Sequence, residues 1–167
     1  MKQITFLVAI LLFLATPGAI SFSDYAFNTT SSVHNDSGII NITVLEAWSR
    51  LESEEDGIQI PVDDRTFQEY FTERIATPHS YDKPILYPLQ LIEIPFFRNI
   101  FFFLFEDKEV IIYCRSANRS YIAGNILFEN GYQGVVYNMV GGINEWKAAG
   151  LPTVKGFGFD DNLNVKK

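Results

Sequence analysis

Hydrophobic positions along the chain alternate between short continuous apolar runs and a period of about 3.6 residues. Ile39-Ile40-Asn41-Ile42 reads as a short strand. Thr43 follows as a helix N-cap, and Glu46 three residues later completes a capping-box pattern. Val44, Ala47, Trp48 and Leu51 then fall on one helical face. Gly57 to Val62 reads as a second strand, ended by Asp63 and Asp64. Residues 66–74 read as a helix with Phe67, Tyr70 and Phe71 on one side.

The next stretch, residues 76–90, contains Pro78, Pro84 and Pro88 and predicts an irregular loop with one short strand near Ile85 to Tyr87. Leu91 to Phe105 is strongly apolar, and Pro95 marks the start of a buried or partner-covered helix. Arg98 and Asn99 interrupt this run. It also falls short of the roughly 20 apolar residues a membrane span requires. Val110 to Tyr113 is a clean buried strand. Residues 119–130 form a helical pattern with Ile122, Ala123, Ile126 and Leu127 inward, stopped by Gly131. Val135 to Asn138 is a further strand. Gly141-Gly142 turns the chain into a short helix over 143–149, which ends at Gly150 and Pro152. The polar tail from Val154 to Lys167 is expected to be loosely held.

Strand and helix in alternation predict an α/β fold with a central parallel sheet of about five strands and helices on both faces. The functional crevice of such a sheet lies at the carboxyl ends of its strands. One domain over residues 39–153 accommodates these elements, between a polar leader at 24–38 and the 154–167 tail.

Residues 1–23 have the layout of a secretory signal peptide. Lys2 precedes an apolar run from Ile4 to Ala15 broken only by Thr5, then Pro17-Gly18 and the small residues Ala19, Ser21 and Ser23. An uncleaved anchor is the alternative, but the run is short for a span. The expected location is therefore secreted or periplasmic, with no membrane attachment after cleavage. Asn-x-Ser/Thr sequons at Asn28, Asn35 and Asn41 are candidate glycosylation acceptors on an exported chain, with chance in a polar stretch the favoured reading. The net charge of −7 argues against nucleic acid as a partner, since phosphate neutralisation needs a basic face.

The chain has 167 residues and one cysteine, Cys114, so no intramolecular disulfide can form. Cys114 directly follows the strand ending at Tyr113 and directly precedes a helix. Its neighbours Arg115, Ser116 and Asn118 are polar, which favours an exposed, reactive thiol over the buried, inert state common for free cysteine. The segment Cys114-Arg115-Ser116-Ala117-Asn118-Arg119-Ser120 is short enough to curl with its amides inward. The following helix adds its positive end, and Arg115 and Arg119 add cationic charge near the mouth. All three favour a thiolate and an anionic ligand. His34 and His79 are the two histidines; neither is placed by sequence to pair with Cys114, and His79 reads as an ordinary loop residue. The pattern calls for no metal and no cofactor.

The segment Ile112-Tyr113-Cys114-Arg115-Ser116-Ala117-Asn118-Arg119-Ser120 resembles the active-site loop of single-domain rhodaneses. So do Gly131-Tyr132, Val135-Val136-Tyr137-Asn138, Gly141-Gly142-Ile143 and Trp146 beyond it. Asp63-Asp64-Arg65-Thr66-Phe67-Gln68-Glu69-Tyr70 resembles that family's Asp-Val-Arg-Thr-Pro-Glu-Glu-Tyr segment. The resemblance runs from about Ile40 to Pro152 and is weak over residues 74–108. The family's Gly-His-Ile-Pro-Gly-Ala segment is replaced by Glu73-Arg74-Ile75-Ala76-Thr77-Pro78, and Ala117 stands where glycine is common. That alanine is a mild change provided its φ stays negative.

The resemblance implies a sulfurtransferase working by double displacement. Cys114 would take sulfur from a small anionic donor such as thiosulfate and pass it from a persulfide to a thiol, a protein or cyanide. It implies that the amides of residues 115–119 hold the persulfide and Arg115 positions the donor. Asp63 and Arg65 would brace the site as a charge pair, Gly141 and Gly142 would allow close backbone approach, and Trp146 would be core. Two other readings stay open. One is a non-catalytic persulfide carrier or redox sensor, with residues 91–105 as a docking surface. The other is an oxyanion phosphatase or arsenate reductase, disfavoured because those loops are Cys-x5-Arg and this one is Cys-x4-Arg.

Overall fold

The computed structural model describes residues 38–53 and 59–157. The expected signal peptide and nearly all of the leader lie outside the described residues, as do residues 158–167. Within them the chain runs β1 (Ile40–Ile42), α1 (Val44–Glu52), β2 (Gln59–Asp63), α2 (Phe67–Thr72), β3 (Arg74–Ile75), a 3-10 turn (Ser80–Asp82), β4 (Ile85–Leu86), α3 (Leu89–Glu93), α4 (Pro95–Leu104), β5 (Glu109–Tyr113), α5 (Asn118–Glu129), β6 (Val135–Met139), α6 (Gly142–Ala148) and β7 (Thr153–Val154).

Five strands form a wholly parallel sheet in the order β1-β6-β5-β2-β4. Helices cover both faces, which is why β5 reads as a continuous apolar run rather than an alternating one. Val110 and Ile112 face a core built with Leu89, Ile92, Phe101, Ala123 and Leu127. Ile111 and Tyr113 face the opposite core, with Val44, Ala47, Leu51, Ile143 and Trp146. The fully buried Trp146 donates its indole N–H to the Pro152 carbonyl at 2.8 Å.

Local chemistry starts the helices. Thr43 and Glu46 make the reciprocal capping box of α1, and Thr66 and Glu69 make another at α2. Pro95 occupies the first turn of α4.

Helix α4 starts at Pro95, as the run predicts, because proline has no N–H to donate and so cannot continue α3. Two expectations are corrected. Among the described residues α4 is not buried: Phe101 is its only buried residue, while Phe96 is 68% and Phe103 80% exposed. The tail is not loose up to residue 157. β7 pairs antiparallel with β3, Arg74 donates to the Gly156 carbonyl at 2.7 Å, and Phe157 packs on Phe71 with ring centroids 4.3 Å apart.

The asymmetry of α4 has an energetic consequence. Phe101→Ala should cost about 3–5 kcal/mol, since it leaves a cavity in the core. Phe103→Ala should change stability by about 0.5 kcal/mol or less. Urea denaturation of the two variants measures the difference.

Candidate functional site

Cys114 lies at the carboxyl end of β5, the central strand, flanked by β6 and β2. Its residue surface is 1% exposed, so the expectation of an exposed thiol is corrected. The start of α5 folds over it, and the fully buried Ser120 sits on its sulfur side. Its surroundings are nevertheless polar. The Ser120 hydroxyl is 3.7 Å from Sγ and donates to Asn138 Oδ1 at 2.7 Å; Asn138 in turn donates to Asn41 Oδ1 at 2.8 Å. A hydrogen-bonded line thus runs from the sulfur across β6 to β1. Asn138 and Asn41 went unremarked in the sequence because nothing local marks a cross-strand pair.

The loop reverses direction at Ala117, whose φ of 71° is left-handed. The condition of a negative φ is therefore not met, and alanine carries strain where glycine would carry none. Ala117 also serves as the N-cap of α5 without a side-chain acceptor. As a result the amides from Arg115 to Ser120 have no hydrogen-bond acceptor among the described residues. A left-handed residue within a run of free amides is the backbone form of an anion-binding concavity, and the helix end adds to it.

Helix α6 holds the other side of the loop. Ile143 N–H donates to the Cys114 carbonyl at 2.9 Å and Asn144 N–H to the Arg115 carbonyl at 3.2 Å. Gly142 allows this approach, since a Cβ there would lie 2.4 Å from the Cys114 carbonyl oxygen. Both Gly141 and Gly142 have positive φ, 78° and 59°.

The arginines divide their work. Arg119 is not free at the mouth: it makes a two-pronged ion pair with Glu69, at 2.7 and 2.9 Å. That pairing raises the Arg119 pKa and, as the largest cause, holds Glu69 down at about 2. Its stabilisation is present above about pH 4.5 and is lost as pH falls toward 2. Glu69 was missed as a site residue, although its spacing from Thr66 was legible. Arg65 donates to Asp63 at 2.8 and 2.6 Å and to the Glu73 carbonyl at 2.7 Å, tying β2 to the end of α2. The Arg115 side chain, by contrast, is exposed and has no hydrogen-bond or ion-pair partner among the described residues. It borders a groove of about 390 Å³ between α2 and α6, lined also by Gln68, Glu69, Glu73, Asn144 and Lys147. Lys147 there is paired with Glu73 at 2.5 Å. Ser116 and Asn118 are exposed on the loop's outer side. His79 stacks on Tyr81 and its Nε2 lies 3.3 Å from the Glu52 carbonyl.

A sequence model of the rhodanese-like domain matches residues 43–149. The chain belongs to the rhodanese-like family. Among curated proteins, this rhodanese-like chain is 41% identical over 78 residues to a sulfurtransferase of Allochromatium vinosum, covering 46% of this chain and 63% of that one. It is 33% identical over 115 residues to an uncharacterized protein of Synechocystis, covering 69% and 57%. The chain thus spans about 60% of the length of these curated relatives. Among solved structures, the thiosulfate sulfurtransferase of Pseudomonas aeruginosa superposes with a TM-score of 0.57 at 23% identity, covering 71% of this chain and 20% of that one. A rhodanese-like domain protein of Staphylococcus aureus superposes at 0.51 with 26% identity, covering 68% and 96%.

One member of this rhodanese-like site was not anticipated. Asp64 is 0% exposed, and neither carboxylate oxygen has a hydrogen-bond partner among the described residues. Burial, and secondarily the charge of Asp63, pushes its pKa up to about 8, against the pull of Arg119 and Arg65.

Two stability measurements follow. Ala117→Gly should stabilise by about 1 kcal/mol by relieving the left-handed alanine. Asp64→Asn should be more stable than wild type by a margin that grows as pH rises from about 4 toward 8 and then levels off. The sign follows from the raised pKa: over that window folded Asp64 keeps a proton that the unfolded chain has released. Chemical denaturation across pH reads both.

Proposed function

We propose that this protein is a sulfurtransferase of the thiosulfate:cyanide type, carrying sulfane sulfur on Cys114, and that it acts outside the cytoplasm. The observation that carries the reading is the run of acceptor-free amides around one cysteine, with an unpaired arginine beside it. The match to the rhodanese-like domain and the likeness to a protein named sulfurtransferase support it.

The chemistry is a two-step transfer. The Cys114 thiolate forms a bond to the outer sulfur of thiosulfate; the S–S bond to the sulfite group breaks, and sulfite leaves with the bonding pair. An acceptor thiolate or cyanide then bonds to the terminal sulfur of the persulfide, and the Cys114 thiolate is released. The amides of residues 115–120 meet negative charge in each state, so a rigid loop serves both half-reactions. The Ser120 hydroxyl, at the start of α5, lies 3.7 Å from the sulfur. Arg115 is the cation available to a donor, since Arg65, Arg119 and Lys147 are each paired with a carboxylate. The four residues between Cys114 and Arg119 suit a sulfur atom rather than a tetrahedral oxyanion.

Incubation with thiosulfate should add one sulfur to the intact mass of the wild type and none to Cys114→Ser. Cyanide should then release thiocyanate. An adduct without turnover would point to a carrier, and no adduct would remove the proposal. Arg115→Ala should raise the donor KM roughly tenfold and leave kcat within about twofold, the cost of one charge-assisted contact.

A further inference from the structure

Asp64 is a fully buried carboxyl group whose oxygens bind nothing among the described residues. Neither helix capping nor ion pairing accounts for it. Its position in the sheet does. Asp63 of β2 stands opposite Tyr113 of β5, so the next rung brings Asp64 beside Cys114. The Asp64 amide, donating to the Tyr113 carbonyl at 3.1 Å, fixes that rung. Side chains alternate along a strand and neighbours on one rung share a face. Tyr113 faces the α1–α6 core, whereas Val62 and Ile112 face the α5 core. Asp64 and Cys114 therefore both face α5. Arg119, at the start of α5, feels the charge of each of them.

We propose that Asp64 is a specificity residue of the sulfur site. Neutral, it adds no charge beside Cys114 and lets an anionic donor approach; ionised, it turns anions away. The proposal rests on the reading of Cys114 as the sulfur carrier. No covalent step passes through Asp64 in this role.

The surrounding charges make one carboxylate decisive. Asp63 with Arg65 and Glu69 with Arg119 are closed pairs. When the Cys114 sulfur reacts as a thiolate, the Arg115 cation stands against it. A neutral Asp64 keeps the site balanced and attractive to an anion through its free amides. An ionised Asp64 makes it net negative. The groups acting on Asp64 are Asp63 on its own strand, Arg65 and Glu69 at α2, and Arg119 on α5. Helix α3, whose Leu89 amide donates to the Asp64 carbonyl at 3.0 Å, has no acidic residue in its first turn. With a carboxyl pushed up to about 8, Asp64 is neutral in most molecules at pH 7 and ionised above pH 8.

The test compares alkylation of Cys114 in the full chain by neutral iodoacetamide and anionic iodoacetate from pH 6 to 10. Both reagents attack the same thiolate, so their rate ratio cancels the thiolate fraction and reports the charge beside the sulfur. In wild type, the preference for iodoacetamide should rise about tenfold across pH 8, the effect of one added charge at short range. In Asp64→Asn the ratio should stay flat. A flat wild-type ratio, or an Asp64→Asn profile that follows wild type, would overturn the proposal. Should Asp64→Asn fail to fold, carbon NMR of aspartate-labelled wild type decides. A carboxyl titrating near pH 8 supports the proposal, and the absence of any aspartate titrating above pH 7 overturns it. With thiosulfate, the donor KM of wild type should rise above pH 8 while kcat moves less. A protein that forms no persulfide at any pH yet shows the alkylation profile would sink the sulfurtransferase reading and leave Asp64's gating role standing.

Discussion

Everything at this site depends on backbone N–H groups that the fold leaves unspent. A strand buried on both faces must hand its chain to a helix within four residues, and Ala117 accomplishes that with a left-handed turn and no capping side chain. The usual remedy for a helix start, a serine, threonine or aspartate accepting the first amides, is absent. Those donors remain open to whatever enters. A ligand that satisfied them would recover hydrogen bonds the protein lacks alone, so binding and local stability are coupled through the same few groups.

Around this loop the structure spends its other polar groups on rigidity. Arg119 and Arg65 are both locked to carboxylates, and each lock joins separate elements: α5 to α2, and β2 to the end of α2. Helix α6 grips the loop carbonyls through two amides, which only a glycine at 142 permits. The hydroxyl of Ser120 links the sulfur to a pair of asparagines across the sheet. The concavity is therefore held from three sides before any ligand arrives, the condition under which fixed dipoles act without reorganisation.

How much of this was legible in the sequence depended on the range of the interaction. Capping at Thr43, the proline start at Pro95 and the alternation of strands with helices are local, and all were readable from a few residues. The position of Cys114 at a strand end followed from the same alternation. Its burial did not, because the polarity of Arg115, Ser116 and Asn118 describes the outer side of the loop only. The left-handed Ala117 was invisible for a related reason: alanine advertises no turn. Glu69 was read as one residue of a helical segment, and Asp64 as a strand end. Their importance comes from residues 50 positions away, through Arg119 and Cys114 respectively. The apolar run at α4 misled in the opposite sense, since composition alone could not divide one inward phenylalanine from its exposed neighbours.

The grip of α6 on the cysteine loop also imposes an order in time. Ile143 and Asn144 leave the ribosome almost thirty residues after the thiol they help to seat, and β7, which clasps β3, follows later still. Until that last stretch is translated, the nascent sulfur has neither its shelter nor its ring of donors, and its chemistry is that of any cysteine in an unfinished chain.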